Sequence, residues 1–185
     1  MKNYNFSILA ALALFWLAFM PAQLLAAPVA GDSEVELNGG FFHSQGSDRG
    51  KLTADVHYGY YLTPGWEIGL RQGLNYDFID DRRDFWVATT TPLLVYNFRF
   101  NDTFIPYLGG DIGLVWNDRT VSGTVGPNAG LKIFLTDQTY LNAGYRYQWF
   151  FRKFRDVDDN TNRGNHVVNI GIGFVWGGTR NPTKP

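Results

Sequence analysis

The stretch that decides the fold is residues 52–62, LTADVHYGYYL, in which apolar and polar side chains alternate. One phase holds only apolar residues, and the other holds Asp55, His57 and Gly59 among its members. Residues 141–151, LNAGYRYQWFF, repeat the same alternation. Strict alternation over about ten residues is typical of a β-strand whose two faces meet different environments.

Six further segments alternate in this way, which makes eight predicted strands. The predicted strands are residues 34–43, 52–62, 66–76, 85–99, 104–116, 125–135, 141–151 and 165–176. Short polar turns at 63–65, 101–103 and 136–139 alternate with longer connections at 44–50, 77–84, 117–124 and 152–164. This order predicts an up-and-down meander with loops at one end. Gln72 is a polar residue in the apolar phase of the third strand, and residues 93–95 blur the phase of the fourth.

The apolar phase could face a soluble core, as in a secreted lipocalin-like barrel, or it could face lipid. Three features favour lipid: tryptophans near strand ends, many glycines in the polar phase, and charges of both signs in that same phase. The predicted aromatic girdles are Trp66, Trp86, Trp116, Trp149 and Trp176. The predicted polar network of the lumen is Glu36, Asp55, His57, Glu67, Arg71, Arg99, Asp111, Lys132 and Arg146. Within it, we expect Glu67 to lie beside Arg99 and Asp111 beside Lys132.

The sheet must close into a barrel because its surroundings in the membrane are hydrocarbon. Hydrocarbon offers no hydrogen bonds to an open sheet edge, so the first and last strands must pair. The sequence therefore predicts an all-β fold, an eight-stranded antiparallel up-and-down transmembrane β-barrel over residues 34–176. Both ends of the barrel segment fall at the short-turn end, which is expected to face the periplasm, with the four longer loops outside.

The N-terminal region is organised differently. Lys2 precedes an apolar run over residues 6–20, and small residues follow over 22–30. This plan predicts that residues 1–27 are a secretory signal peptide, with cleavage somewhere within 26–30; an uncleaved anchor is the alternative. The 185-residue chain has no cysteine and a net charge of −1, which argues against thiol chemistry and against a nucleic-acid partner.

Two segments and the signal peptide carry a family resemblance. Residues 106–114, PYLGGDIGL, and 169–174, NIGIGF, resemble small Gram-negative outer-membrane β-barrel proteins, a group that includes the opacity-type surface proteins and the membrane domain of outer-membrane protein A. The resemblance covers about residues 34–176 and implies a location in the bacterial outer membrane. One departure is that Trp176 is followed by residues 177–185, GGTRNPTKP, whereas the family's assembly signal usually ends the chain. These nine residues are expected to form a short periplasmic tail; the alternative is that the assembly signal is read internally. No wall anchor is implied.

Three groups of residues have side chains that could support chemistry. Asp156, Asp158 and Asn160 have the spacing of a calcium loop, but the glycine and glutamate that such a loop needs are replaced by Thr161 and Val167, which favours a solvated loop.

His43 and His166 are expected to meet at the outer rim near Ser44, Ser47 and Asp48, where a lipid-A hydrolase would act, yet the His-x-Ser-Asn tetrapeptide of such enzymes is absent. The loop charges at 80–84 and at Arg152, Lys153 and Arg155 could contact lipopolysaccharide phosphates, but their acidic neighbours favour ordinary solvation.

The function expected from the sequence is that of a non-enzymatic barrel with a plugged polar lumen, serving envelope structure or surface interaction. A narrow channel for small solutes is the alternative, and a lipid-A-modifying hydrolase is third. No catalytic residue, cofactor or metal site is predicted. The expected partners are outer-membrane lipids and, during biogenesis, the barrel-assembly machinery. Whether lipopolysaccharide is among these lipids is left open by the sequence.

Overall fold

The computed structural model describes residues 27–43, 49–79, 85–118, 120–151 and 164–178 of the chain. It contains eight strands: β1 (Ser33–His43), β2 (Arg49–Tyr61), β3 (Trp66–Ile79), β4 (Phe85–Asn97), β5 (Phe104–Trp116), β6 (Val121–Phe134), β7 (Thr139–Phe150) and β8 (Gly164–Trp176). Each strand pairs antiparallel with the next, and β1 pairs with β8 to close the barrel. The predicted fold class is confirmed. Within the described ranges, no helix is long and apolar enough to cross a membrane.

The two phases of each strand face the environments expected of a membrane barrel. On β1, the Glu34 side chain is 0% exposed and points into the lumen, whereas the neighbouring outward residue Leu37 is 54% exposed. On the adjoining β8, Ile170 is 68% exposed. Charged side chains are therefore enclosed and aliphatic ones cover the outer wall, the reverse of a soluble barrel.

The barrel has two distinct ends. The connections 62–65, 98–103 and 135–138, together with residues 27–32 and 177–178, lie at one end, which we call the turn end. The opposite end, where β1 leads toward β2 and β7 toward β8, is the loop end. Here one prediction was wrong: residues 117–124 are not a long loop, because β6 begins at Val121 and pairs with Trp116. Asn117 and Thr120 close a tight turn through an Asn117 N–H to Thr120 carbonyl bond of 3.0 Å.

The two irregularities of the sequence pattern have structural counterparts. Leu93 and Val95 point inward and pack against Tyr107, so β4 carries apolar residues on its lumen face. Gln72 points outward and accepts a hydrogen bond from the Thr90 hydroxyl of the neighbouring strand at 2.6 Å. That bond satisfies part of the hydrogen-bonding capacity of the Gln72 amide, on a face of the barrel that meets hydrocarbon.

Two prolines interrupt the hydrogen-bond ladders. The pairing between β4 and β5 skips Thr91 and Pro92, and the pairing between β6 and β7 skips Gly126 and Pro127. Proline has no N–H to donate, which is why it is rare inside paired strands. The register is the same on both sides of each gap, so closure does not depend on these positions.

The turn end is covered by the segment that precedes β1. Ala27 is 2% exposed and lies in a buried apolar cluster whose other members are Ile105, Phe134, Tyr140 and Val175. Asp32 holds this segment in place, since its carboxylate accepts bonds from the Val29 N–H at 2.8 Å and the Gly178 N–H at 2.6 Å. We call the five-residue cluster the apolar floor; it lies beneath the polar interior.

Candidate functional site: a charged cluster in the lumen

The candidate site is a set of inward side chains above the apolar floor, contributed by five strands. We call it the lumen cluster, and its members are Glu34 and Glu36 of β1, His57 and Tyr61 of β2, Glu67 of β3, Lys132 of β6 and Tyr140 of β7. All of these residues are almost completely buried. Period-two geometry brings them together, because each occupies the inward phase near the turn end of its strand.

Lys132 is the centre of the lumen cluster. Its Nζ lies 2.8 Å from both carboxylate oxygens of Glu34 and 2.9 Å from Oε2 of Glu67. It also donates to the Tyr61 hydroxyl at 2.9 Å. β6 is adjacent to neither β1 nor β3 in the barrel, so these contacts run across the lumen rather than along its wall.

Glu36 is held by neutral donors instead of a cation. The amide of Asn38 donates to its Oε1 at 2.7 Å, and the amide of Asn142 donates to the same oxygen at 2.9 Å. The Tyr140 hydroxyl lies 2.9 Å from Oε2 of Glu36 and 3.0 Å from Oε1 of Glu34, close enough to donate to either carboxylate. These bonds compensate part of the cost of burying the carboxylate.

A second set of charges lies nearer the loop end. The Arg71 guanidinium sits between two carboxylates, 3.6 Å from Asp55 and 3.7 Å from Asp111. Arg146 is 6% exposed in the same phase of β7. The Asn38 amide donates to Asp55 at 2.8 Å and also bonds Glu36, so it joins this set to the lumen cluster.

The glycines of the polar phase make room for bulky inward side chains. Gly130 and Gly144 pair across β6 and β7. A Cβ atom would lie 2.5 Å from the Tyr107 hydroxyl at Gly130 and 2.7 Å from it at Gly144. Tyr107 pairs with Gly130 across β5 and β6, so its side chain lies over the two neighbouring strands in space that only glycine leaves open.

The structure places eight of the nine predicted network residues inside the barrel and one outside it. Arg99 lies beyond the end of β4, with a side chain 36% exposed, and its guanidinium is 3.8 Å from Asp102. The predicted pairing of Glu67 with Arg99 is wrong, because β4 ends at Asn97 and the inward residue there is Asn97 itself. The Asn97 amide donates to Glu67 at 3.0 Å.

The predicted pairing of Asp111 with Lys132 is wrong as well. The register sets Lys132 opposite Ile105 and Asp111 opposite Gly126. Six residues along β5 separate Ile105 from Asp111, a distance of about 20 Å at the usual rise per residue. Lys132 therefore reaches across the lumen to Glu34 and Glu67 instead.

Several functional residues were missing from the predicted network. Glu34, Tyr61 and Tyr140 belong to the lumen cluster, and Asn38 and Asn142 hold its carboxylates. The alternation in the sequence already assigns Glu34 and Tyr61 to the inward phase, since Glu34 lies two residues before Glu36 and Tyr61 lies four after His57. Tyrosine in the polar phase was the signal that could have identified them.

The five tryptophans of the predicted girdles lie on the outward phase near strand ends. Trp66 and Trp176 are at the turn end, and Trp86, Trp116 and Trp149 are at the loop end. Trp86 and Trp116 meet edge to face at 5.6 Å, and Trp66 meets Tyr96 in the same way at 5.0 Å. Two rings of amphipathic aromatics separated by an aliphatic band fit the two interfaces of a bilayer.

At the rim of the loop end, His166 turns toward β7. Its Nδ1 lies 2.6 Å from the Tyr145 hydroxyl, and its ring contacts that of Tyr147 at 5.0 Å. The side chain of His43 and residues Ser44, Ser47 and Asp48 lie outside the described part of the structure. So do Asp156, Asp158 and Asn160, for which a solvated loop is expected, and the charged loops at 80–84 and 152–155.

An antiparallel eight-stranded barrel that is closed, apolar outside and charged inside is a transmembrane β-barrel. The chain belongs to the outer membrane protein beta-barrel domain family, whose family model matches residues 7–175. Membership implies an outer-membrane location, and the predicted family is confirmed. No curated protein sequence matches the chain.

Solved structures with the same fold include three outer-membrane barrels. The N-terminal barrel domain of OprF from Pseudomonas aeruginosa is 18% identical, with a TM-score of 0.54 over 80% of this chain and 100% of that one. Neisserial surface protein A is 17% identical, with a TM-score of 0.54 over 78% and 94%. OprG from Pseudomonas aeruginosa is 12% identical, with a TM-score of 0.54 over 84% and 100%. At these identities the likeness concerns the fold.

Proposed function

We propose that this protein is a non-enzymatic integral outer-membrane barrel whose lumen is plugged by polar side chains, and that it serves envelope structure or surface interaction. The observation that carries the proposal is the position of Lys132. Its ammonium group bonds to Glu34 and Glu67 on strands across the lumen, at 2.8 and 2.9 Å. A solute passing along the axis would have to break these contacts.

Two further features support a plug. The apolar floor lies under the lumen cluster, and its members from the strands, Ile105, Phe134, Tyr140 and Val175, remain after residues 1–27 are removed. Above the cluster, Arg71 lies between Asp55 and Asp111. Separating a buried ion pair costs several kcal/mol unless water replaces the lost contacts, which disfavours a freely open path.

The surface supports a role in the envelope. The aromatic girdles would anchor the barrel among outer-membrane lipids at both interfaces. The charged loops outside the described residues are the proposed sites of surface contact, and the basic residues Arg152, Lys153 and Arg155 are opposite in charge to lipopolysaccharide phosphates. The barrel-assembly machinery is the proposed partner during biogenesis, after export through a signal peptide cleaved within 26–30.

The experiment that tests the plug is electrical. We expect purified protein in planar bilayers to show no steady conductance, whereas a large porin in the same bilayers conducts. Vesicles carrying the protein should also remain impermeable to small sugars in a swelling assay. Steady conductance or swelling would contradict the plug and favour the alternative, a narrow path for small solutes.

The hydrolase alternative has its own test. Among the described residues, His166 bonds to the Tyr145 hydroxyl and not to a serine or a carboxylate, which supports the non-enzymatic proposal. Purified protein incubated with lipid A should release no fatty acid. Release that disappears in a His166→Ala variant would contradict the non-enzymatic proposal.

A further inference from the structure

His57 lies between two buried carboxylates of the lumen cluster. Its Nε2 is 3.3 Å from Oε1 of Glu67, and its Nδ1 is 3.5 Å from Oε1 of Glu34. The side chains of Glu34 and Glu67 are 0% exposed and that of His57 is 4% exposed. Each of the three residues offers a metal-ligating atom within 4.8 Å of the other two.

Two of these atoms lack a hydrogen-bond partner. Nε2 of His57 and Oε1 of Glu67 face each other, fully buried, and neither forms a hydrogen bond. The other oxygen of Glu67 is already used by Lys132 and by Asn97. Buried nitrogen and oxygen atoms are nearly always paired, so two that face each other without a bond indicate room for a shared partner.

The charges around His57 do not balance. The lumen cluster contains three carboxylates, of Glu34, Glu36 and Glu67, against the single ammonium group of Lys132. The second set is balanced in itself, since Arg71 and Arg146 match Asp55 and Asp111. With a neutral histidine the lumen cluster carries a net charge of −2, and buried charges are retained only when they are paired or coordinate metals.

We propose that Glu34, His57 and Glu67 bind a divalent transition-metal ion, and that Zn²⁺ is the ion they suit best. Zn²⁺ takes imidazole nitrogen and carboxylate oxygen at about 2.0–2.2 Å in tetrahedral sites, which sets two ligand atoms about 3.3 Å apart. That is the observed separation of His57 Nε2 and Glu67 Oε1. Glu34 approaches from the Nδ1 side of the ring, where its Oε1 lies 3.5 Å from Nδ1, and it supplies the third ligand by turning that oxygen from Lys132 to the metal. One divalent ion makes the lumen cluster neutral.

Lys132 distinguishes this site from an ordinary metal cage. Its ammonium group bonds Oε2 of Glu67 while Oε1 remains available, and it bonds both oxygens of Glu34. The lysine and the metal therefore share the two carboxylates, and Glu34 has to give up one bond to Lys132 when the metal binds. The buried position predicts slow exchange of the ion rather than a freely equilibrating surface site.

The test measures metal content and stability together. Protein without a polyhistidine tag is purified from outer membranes, treated with chelator while unfolded, and refolded in detergent with or without Zn²⁺. We expect about one zinc per barrel after dialysis, and a higher midpoint of urea unfolding in the zinc-loaded sample. In a His57→Gln variant, zinc affinity should fall by more than about tenfold and the shift in midpoint should vanish.

His166→Gln is the matched control, because His166 is an exposed rim histidine that bonds to Tyr145. This variant should keep both the zinc and the stabilisation. If His57→Gln does not refold, Glu67→Gln takes its place, and Co²⁺ in the unaltered protein should give the intense visible absorption of tetrahedral nitrogen and oxygen ligation. Zinc contents that are equal in the His57 and His166 variants, or wild-type protein that neither retains zinc nor gains stability from it, would overturn the proposal.

Discussion

At the scale of single residues, Lys132 shows how the interior is held together. It is 3% exposed, and its ammonium group contacts two carboxylates and a phenol. The rings of Tyr61 and Tyr140 lie 5.3 and 5.2 Å from Nζ, so aromatic faces also contribute to stabilising the charge. An ion buried so completely is compatible with folding only because its partners are close and numerous.

Replacing this lysine should therefore destabilise the barrel strongly. We expect Lys132→Met to lower the free energy of unfolding by about 3–5 kcal/mol, because Glu34 and Glu67 lose their shared cation. Adding Glu67→Gln should recover part of the loss. The measurement is urea unfolding of the barrel in short-chain lipid vesicles, with chelator present.

Arg99→Ala is the control for this prediction. Its guanidinium lies 3.8 Å from Asp102 at a partly exposed position, so its removal should change stability by less than about 1 kcal/mol. If Lys132→Met proved as mild as Arg99→Ala, the contacts across the lumen would not be stabilising the barrel.

At the scale of elements, each strand presents two surfaces to two solvents. On β7, Tyr140, Asn142 and Arg146 are buried in the lumen, while Leu141 and Tyr145 are exposed on the outer wall. Substitutions at two adjacent positions of one strand should therefore have different effects, because one side chain enters the lumen and the next enters lipid. Its depth in the bilayer should matter as well, because the cost of a charge in lipid is greatest at the midplane.

The corresponding prediction concerns Ala143, an outward residue of β7 that pairs with Leu131 and Ile170. Ala143→Arg should lower stability in lipid by roughly 2–4 kcal/mol, since the guanidinium enters hydrocarbon. Leu62→Arg, in the turn after β2, should cost only about 0–1 kcal/mol because it lies near the interface. Unfolding in urea from lipid vesicles measures both, and equal losses at the two positions would contradict the assignment of Ala143 to the midplane.

At the scale of the whole molecule, closure and polarity act together. The pairing of β1 with β8 runs from Ser33–Trp176 to Gly39–Ile170, so no strand edge is left open along this stretch. The apolar outer wall needs lipid, and in lipid the backbone groups of every strand must be paired within the sheet. The turn end carries the apolar floor and the connections 62–65, 98–103 and 135–138, whereas the loop end carries the tight turn 117–120 and the longest connection, 151–163.

Protease added to intact cells tests this arrangement. Cleavage is expected within 44–48, 80–84 or 152–163, at the loop end that the proposed orientation places outside the cell. The turn 117–120 should resist, since Asn117 is buried and its side chain accepts a bond from the Thr120 N–H at 2.8 Å. Turns 63–65 and 136–139 should be cut only after the cells are opened, and cutting them in intact cells would reverse the proposed orientation.

Much of the candidate site was predictable, and its pairings were not. Alternation alone placed Glu67, Asp111 and Lys132 on the inward phase, because side-chain direction in a strand depends only on parity. It could not show that Lys132 meets Glu67, since that contact depends on register and on the curvature that brings β6 opposite β3. His57 illustrates the same limit: its phase was evident, but its position between two carboxylates was not.

The sequence by itself determined the class of fold, the closure of the barrel and the polarity of its two faces. The alternation of side chains, the tight turns and the positions of the tryptophans can all be read locally along the chain. In hydrocarbon, strands of this kind must form a closed barrel, because an open edge would leave backbone groups unpaired. The tertiary structure decided where β4 ends and β6 begins, which ions share the lumen, and how residues before β1 cover its floor. These depend on contacts such as Lys132 with Glu34, 98 positions apart, which exist only once the sheet has closed.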